Sequence, residues 1–199
     1  MATARGKRMA APERRIQLLQ VARKTFGRNG FHGVSMEEVA REAGVTKPTL
    51  YDHFTSKQDL YLALLEADSR ALGLRVHEAL VDGTGNRERI RQSFRAYFDF
   101  VDEHAEGFKL LMQETQSSGI VSSSVAEVRD QIMKEVAEVI ARESKGRIDQ
   151  KDSETVAAGL VGMVEAGAQR SPGGAKIERE RQVDLLVRLA WMGIAAMAT

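Results

Sequence analysis

Apolar side chains recur at helical spacing along most of the chain, and turn-forming residues separate the segments that show this spacing. In the first segment, four apolar residues repeat every three or four positions: Ile16, Leu19, Ala22 and Phe26. The pair Asn29-Gly30 then supplies a left-handed stop of the kind that ends helices. The spacing predicts a helix over 13–29.

Two short helices follow, each marked by a capping residue. Ser35 and Glu38 form an S-x-x-E capping box, which satisfies free backbone N–H groups at a helix start. Thr46 caps the next helix, and Pro48 is tolerated there because a first-turn N–H has no helical partner to lose. This pattern predicts a short helix that ends at a glycine, then a second one over 47–53.

A long amphipathic segment begins at Ser56 and Asp59, which repeat the capping pattern, and it ends near residue 82. A helix of about 25 residues spans roughly 37 Å, enough to connect two layers of a protein. Periodicity beyond it predicts five more helices, over 86–104, 106–117, 122–144, 152–170 and 178–198. Because no strand alternation interrupts this pattern, we expect an all-α protein of about nine helices.

Positive charge is concentrated at one end of the chain. Residues 1–60 hold 11 Lys and Arg against 6 Asp and Glu, a net charge of +5, whereas the other residues hold 18 against 22, a net charge of −4. A basic segment is typical of proteins that bind polyanions. Ordinary surface variation produces a similar imbalance, so charge alone leaves both interpretations open.

Composition excludes several classes of protein. The chain has no cysteine, which excludes disulfides and thiolate chemistry, and no apolar run of the roughly 20 residues that span a bilayer. The basic N-terminus lacks the apolar core of a secretory signal, so we expect a cytoplasmic protein without a membrane segment. Residues 1–11 are expected to form a mobile basic arm, which either contacts the DNA minor groove or only aids solubility.

The two short helices and their glycine-containing turn have the arrangement of a helix-turn-helix, whose second helix enters the DNA major groove. With residues set 100° apart on that helix, Leu50 and Phe54 point inward. The outer face then carries five residues: Pro48, Thr49, Tyr51, Asp52 and His53. This face is the candidate reader of DNA sequence.

Residues 13–66 resemble the DNA-binding head of the tetracycline-repressor (TetR) family. The resemblance rests on FGRNGFHGVSMEEVAREAGVTKPTLYDHFTSKQDLYLALLE, above all on Ala43-Gly44-Val45 and on Leu50-Tyr51-x-His53-Phe54 followed by Lys57. The remaining two thirds agree with the family in length, helicity and order. The resemblance implies a helix-turn-helix head over 12–56 and a helical ligand-binding and dimerisation body over 57–199, with the long helix as connector.

The resemblance also implies which residues contact operator DNA: Ser35, Thr46, Lys47, Pro48, Thr49, Tyr51, His53 and Lys57. Their chemistry agrees, because Lys57 adds a charge at a helix N-terminus that already favours phosphate. Tyr51 can pack on sugar while its hydroxyl binds phosphate, and Lys47 can donate to guanine. The alternatives are that Tyr51 is a core aromatic residue and Lys57 an ordinary solvated lysine.

Aromatic and methionine side chains are frequent in the body. Such residues form either an ordinary core or the lining of a ligand cavity. The resemblance favours a cavity for a small apolar effector, with five candidate lining residues: Phe94, Tyr97, Phe98, Phe108 and Met112. It implies a ligand-responsive transcriptional regulator, most simply a repressor that the effector releases from DNA.

The last two predicted helices, 152–170 and 178–198, combine small residues with large apolar ones. Small residues allow helices to approach closely, so these helices either pack within one chain or pair with a second copy. The resemblance implies the second arrangement, a homodimer through a four-helix interface. A dimer places two reading helices about 34 to 36 Å apart and therefore predicts a palindromic operator.

Enzymatic signatures are missing from the sequence. It contains no Glu-x-x-His pair, no His-Glu-x-x-His zinc motif and no phosphate-binding G-x-x-x-x-G-K-[ST] loop. The acidic cluster that includes Asp102, Glu103 and Glu106 either holds a metal or forms a solvated helix end. A helical protein-interaction module would not need the clustered Tyr51, His53 and Lys57. We therefore expect no catalysis, no metal and no cofactor.

Overall fold

The computed structural model describes residues 10–82, 85–104, 123–170 and 176–197, and every regular element in these ranges is an α-helix. The eight helices are α1 (Ala11–Asn29), α2 (Met36–Glu42), α3 (Lys47–Tyr51), α4 (Lys57–Asp82), α5 (Asn86–Glu103), α6 (Ser123–Glu143), α7 (Gln150–Arg170) and α8 (Lys176–Met197). The all-α prediction is confirmed. The helix predicted over 106–117, and all but the end of the N-terminal arm, lie outside the described residues.

Side-chain caps start the helices of the head where the sequence places them. Ser35 Oγ accepts a hydrogen bond from the Glu38 N–H at 3.2 Å, and Thr46 Oγ1 accepts one from the Thr49 N–H at 3.4 Å. Each bond satisfies one of the backbone donors that a helix N-terminus leaves free. Helices α2 and α3 are too short to be stable alone, so these caps and packing against the rest of the head stabilise them.

In the head, the start of α1 and the end of α3 differ from the predicted boundaries by two residues each. Helix α1 begins at Ala11 because the Glu13 carboxylate accepts from the Ala10 N–H at 3.3 Å and so replaces a conventional cap. Helix α3 ends at Tyr51 instead of residue 53, because the chain tightens into a turn in which the His53 N–H binds the Leu50 carbonyl at 3.1 Å.

Helix α4 contributes to two separate hydrophobic cores. Its first half supplies Leu60, Leu64 and Leu65 to the core of the head. Its second half supplies Leu72, Val76 and Leu80 to the core of the body. A shift or tilt of α4 therefore moves one core relative to the other.

A buried ion pair fixes α1 against the middle of α4. The Arg23 Nε–H lies 3.1 Å from each carboxylate oxygen of Asp68, and the Nη2–H donates to the same group. Asp68 is only 1% exposed. Removing water from a carboxylate is costly, so Asp68 depends on this partner.

Ion pairs also bind α5 to its neighbours in the body. Arg179 on α8 donates to Asp102 at 2.9 Å, and Arg75 on α4 donates to Glu103 at 2.6 Å. The pKa of Glu103 is lowered by that hydrogen bond. These two acidic residues therefore hold helices together, and no group of three or more metal-binding side chains occurs among the described residues.

None of the helices in the described ranges combines the length and the apolar character needed to cross a membrane.

Candidate functional site

Helices α2 and α3 are joined by a tight turn around Gly44. Gly44 adopts φ of +66°, a left-handed conformation that side chains disfavour, and the Val45 N–H closes the turn on the Ala40 carbonyl at 3.0 Å. Leu50 and Phe54 then point into the head core and are almost fully buried. The buried side of α3 is thus fixed, and its opposite side faces outward.

The outward side of α3 presents the residues that the sequence assigned to DNA contact. Thr46, Lys47 and Pro48 are exposed, and Tyr51 is 41% exposed. Tyr51 is therefore not a core aromatic residue. Three further candidates lie around this surface: Thr49 and His53, which are half-buried, and Ser35, which is exposed at the start of α2.

Lys47 and Tyr51 are held by contacts with their neighbours. Lys47 Nζ forms an ion pair with Glu37 on α2 and lies 5.7 Å from the centre of the Tyr51 ring. The hydrogen bond between the charged groups lowers the pKa of Glu37 and raises the pKa of Lys47. Glu37, which the sequence reasoning did not single out, thus pairs with the cation at the first position of α3.

Replacing Glu37 by glutamine is expected to tighten duplex binding. The change removes a negative charge that would face phosphates and frees Lys47 to bind them, so we expect about two- to fivefold higher affinity at low salt. Fluorescence anisotropy with a labelled duplex measures the change, and Glu66→Gln on α4 is the control, because Glu66 pairs with Arg70 on the same helix. Equal effects of both substitutions would contradict a role for the Lys47 contact.

Lys57, at the start of α4, turns back toward the head. Its Nζ donates to the carbonyl oxygens of Phe31 at 2.9 Å and Val34 at 3.0 Å, and it lies 4.4 Å from the centre of the Phe31 ring. An ammonium group has three N–H donors, so these two bonds leave one for a phosphate. Lys57 therefore ties the loop between α1 and α2 to α4 as well as adding a charge.

Lys57→Ala is expected to weaken binding to all duplex sequences alike. Affinity falls as salt rises, and loss of one phosphate contact should make the slope of log affinity against log salt less steep by about one. The measurement is a salt titration with a selected duplex and with a scrambled one. A loss of affinity restricted to one sequence would contradict a phosphate contact. An unchanged slope would also contradict it and would mean that Lys57 makes only its contacts with the two carbonyl groups.

Arg15 is a cation near α3 that sequence reasoning missed. It lies on α1, and its guanidinium group is 4.4 Å from the centre of the ring of Phe54, which follows the end of α3. Arg15 and Phe54 are far apart in sequence, so no local pattern reveals the contact. Tertiary packing alone brings this charge to the edge of the candidate surface.

Exposed apolar residues on α8 and glycines on α7 lie on the sides of these helices that face away from the body core. Leu185, Leu189 and Met192 follow one another at helical spacing on α8 and are 52%, 64% and 71% exposed. On α7, no atom of the described residues lies within 4 Å of the position that a side chain would take at Gly159 or Gly162, which leaves room for another helix. These five residues define what we call the α7/α8 face. Exposed leucine and methionine at regular spacing are typical of an interaction surface.

A partly open cavity of about 300 Å³ lies between the helices of the body. We call it the main cavity, because all five of these helices line it. Helices α4 to α8 all contribute to its wall, and most of the lining side chains are apolar: Leu80, Ile90, Val136, Val139, Ile140, Leu160, Trp191, Ile194 and Ala195. The polar residues lie near the start of α5 and the end of α6: Asn86, Arg89, Glu143, Ser144 and Arg147. This volume is at the lower end of the range for small-molecule sites.

The candidate ligand-binding residues are found in different places. Phe94 lines a smaller pocket of about 50 Å³ that shares wall residues with the main cavity. Tyr97 and Phe98 are buried in the body core and are not part of the main cavity wall. Phe108 and Met112 lie outside the described residues.

Two family models match the chain. Residues 18–64 match "Bacterial regulatory proteins, tetR family", and residues 86–193 match "Tetracyclin repressor-like, C-terminal domain". Together they cover most of the head and most of the body, and residues 65–85 lie between them.

Individual relatives agree with these matches. The chain is 33% identical to the HTH-type transcriptional activator FasR of Mycolicibacterium smegmatis, over 96% of this chain and 87% of that one. It is 31% identical to the transcriptional repressor KstR2 of Mycobacterium tuberculosis, over 52% of each chain. Among solved structures, a TetR-like regulator from Rhodococcus sp. RHA1 superposes with a TM-score of 0.75 at 31% identity, covering 94% of this chain and 99% of that one.

Proposed function

Since the chain belongs to the tetR family of bacterial regulatory proteins, we propose that it is a ligand-responsive repressor that binds an inverted-repeat operator as a homodimer. Members of the family are transcription regulators with a DNA-binding helix-turn-helix. The proposal adds the operator, the assembly, the direction of regulation and the effector. It places the protein in the cytoplasm, where the chromosome is.

The surface of α3 is the observation that carries this proposal. Lys47, Pro48 and Tyr51 are exposed together on a helix whose other side is anchored in the head core. A lysine, an apolar ring and a phenol supply contacts to guanine, to thymine methyl groups and to the sugar-phosphate backbone. Thr46 and Ser35 add hydroxyl groups at two helix starts that can bind phosphate.

The α7/α8 face supports the homodimer. A two-fold axis through this face would cover its exposed leucine and methionine side chains with the same residues of a second copy. The α3 helices of the two heads would then read two half-sites on one side of the duplex, about one helical turn apart. An operator with inverted-repeat symmetry follows from that arrangement.

The shared helix α4 supports the coupling between effector and DNA. Leu80 on α4 lies in the cavity wall. Leu60 and Leu64, on the same helix, lie in the core of the head. An effector that favours a tilted α4 changes the separation of the two heads, so effector and operator bind antagonistically. An operator affinity that no cavity ligand changes would contradict this coupling.

Activation is the second candidate function. It is favoured by the similarity to FasR, a transcriptional activator. The DNA-binding surface and the cavity serve both functions equally, because the effect of a bound regulator depends on where its operator lies relative to the promoter.

Selection of duplexes from a random-sequence pool by the purified full-length protein tests the proposal. We expect enrichment of an inverted repeat whose half-sites are about 10 bp apart, or a multiple of that distance. A reporter gene placed behind the selected operator then separates repression from activation. Enrichment of no sequence, or of one without two-fold symmetry, would overturn the proposal.

A further inference from the structure

The polar residues of the main cavity lie where α5 begins and α6 ends, which we call its polar end; the wall that it shares with the smaller pocket is apolar, and we call this its apolar end. On α5, Asn86 and Arg89 belong to the polar end, and Ile90, the next residue, lines both pockets. Ser93 and Phe94, one turn further on, line the adjoining smaller pocket, whose other walls are apolar. A molecule lying along α5 would therefore meet polar groups first and hydrocarbon afterwards.

Hydrogen bonds hold the polar end together. Arg89 Nη1 donates to Glu143 at 2.9 Å and to the Asn86 side chain at 3.0 Å. The hydrogen bond from Arg89 lowers the pKa of Glu143. Arg147 Nε donates to the Ser144 carbonyl at 3.1 Å, which orients its guanidinium group beside the cavity.

Positive charge exceeds negative charge at this end. Two cations, Arg89 and Arg147, and one carboxylate, Glu143, line the cavity there. Arg89 is paired with that carboxylate, whereas Arg147 forms no ion pair with any residue in the described ranges. An arginine without a carboxylate partner is a ready binding group for an anion.

Within the part of the chain that the structure describes, two buried donors on α5 lack hydrogen-bond partners. They are the Oγ of Ser93, which is 8% exposed, and the Nε of Arg89. A buried donor without a partner costs stability, so native proteins keep few of them. Arg89 lines the polar end of the main cavity, where the acidic group of a bound molecule could accept the bond from its Nε. Ser93 lines the smaller pocket instead.

From this arrangement we infer that the cavity binds an amphipathic anion, with its hydrocarbon part at the apolar end and its acidic group at Arg89 and Arg147. The inference rests on the proposed function, because it specifies the effector of that regulator. A cavity of about 300 Å³ holds on the order of ten heavy atoms, at about 30 Å³ for each water-sized group. Decanoate is therefore a suitable probe.

Tryptophan fluorescence of the full chain measures binding directly in the cavity. The chain has a single tryptophan, and Trp191 lies in the cavity wall, so its emission reports occupancy without DNA. Three probes of equal chain length separate charge from hydrocarbon: decanoate, decan-1-ol and decyltrimethylammonium. We expect decanoate to bind at least about tenfold more tightly than the other two.

Decanoyl-coenzyme A tests whether the anion is a free acid or an acyl conjugate. If decanoate binds more tightly than decanoyl-coenzyme A, the effector is a free acid. If decanoyl-coenzyme A binds more tightly than decanoate, the effector is an acyl conjugate whose phosphates lie at the polar end. Either result supports an amphipathic anion.

Substitutions locate the acidic group. Arg147→Gln removes an exposed guanidinium group and should weaken decanoate binding about five- to tenfold while leaving decan-1-ol unchanged. Arg181→Gln, an exposed position on α8 away from the cavity wall, is the matched control and should change neither. Val139→Phe narrows the cavity and should weaken both probes.

Three results would overturn the inference: equal affinity for the neutral and the anionic probe, no binding of any probe, or an unchanged affinity in Arg147→Gln. Each leaves the proposed regulator intact if duplex selection succeeds and another compound releases the operator. Conversely, decanoate binding by a protein that selects no duplex would sustain the cavity chemistry and remove the proposed function.

Discussion

Replacing Arg23 by methionine is expected to lower the free energy of unfolding by about 3 kcal/mol, because the substitution leaves a buried carboxylate without its ion-pair partner. Asp68 is 1% exposed and Arg23 24% exposed, so the remaining charge cannot be solvated without opening the contact between α1 and α4. Urea unfolding followed by circular dichroism measures this loss. The melting temperature should fall by roughly 6 to 12 °C for a chain of this size.

Arg28→Met is the matched control on the same helix. Arg28 and its partner Glu42 are 55% and 30% exposed and 3.9 Å apart, so its loss should change stability by less than about 0.5 kcal/mol. The double variant Arg23→Met/Asp68→Leu should recover much of the lost stability, because an apolar pair can replace a buried ion pair. Equal losses in the two arginine variants would contradict the role assigned to Asp68.

Leu189→Glu is expected to convert the proposed homodimer into a monomer. A two-fold axis would bring two copies of this carboxylate into an apolar contact, where each would be desolvated without a partner. Because a monomer engages only one half-site, operator affinity should fall at least about a hundredfold. Sedimentation measures the mass, and anisotropy measures the affinity.

Leu74→Glu provides the control for this prediction. Leu74 lies on α4, outside the α7/α8 face, and is 64% exposed, the same fraction as Leu189. The control should remain dimeric and bind the operator normally. If Leu189→Glu also remained dimeric, or if both variants became monomeric, the α7/α8 face would not be the specific dimer surface.

Local sequence patterns were sufficient to place the head. The caps at Ser35 and Thr46 depend on residues only three positions apart, and the structure contains both hydrogen bonds. Caps and apolar periodicity together located all eight helices of the described ranges within a few residues. Such features are set by neighbours along the chain, which is why sequence alone reveals them.

Contacts between distant parts of the chain could not be predicted in the same way. Tyr97 and Phe98 are aromatic, as expected of residues that line a cavity, but they pack into the core of the body. The cavity wall instead combines Leu80, Arg89 and Trp191 from three helices. Helix amphipathicity identifies which side of a helix is buried, but it does not say whether that side meets another helix or an enclosed space.

The preference of the protein for a selected duplex over a scrambled duplex of the same length tests the central claim that α3 reads DNA. At about 0.15 M salt we expect a preference of at least about a thousandfold. A variant with Lys47, Thr49 and Tyr51 replaced by alanine should lose that preference and keep only weak, salt-sensitive binding. No preference in the unaltered protein, or an undiminished preference in the variant, would contradict the account.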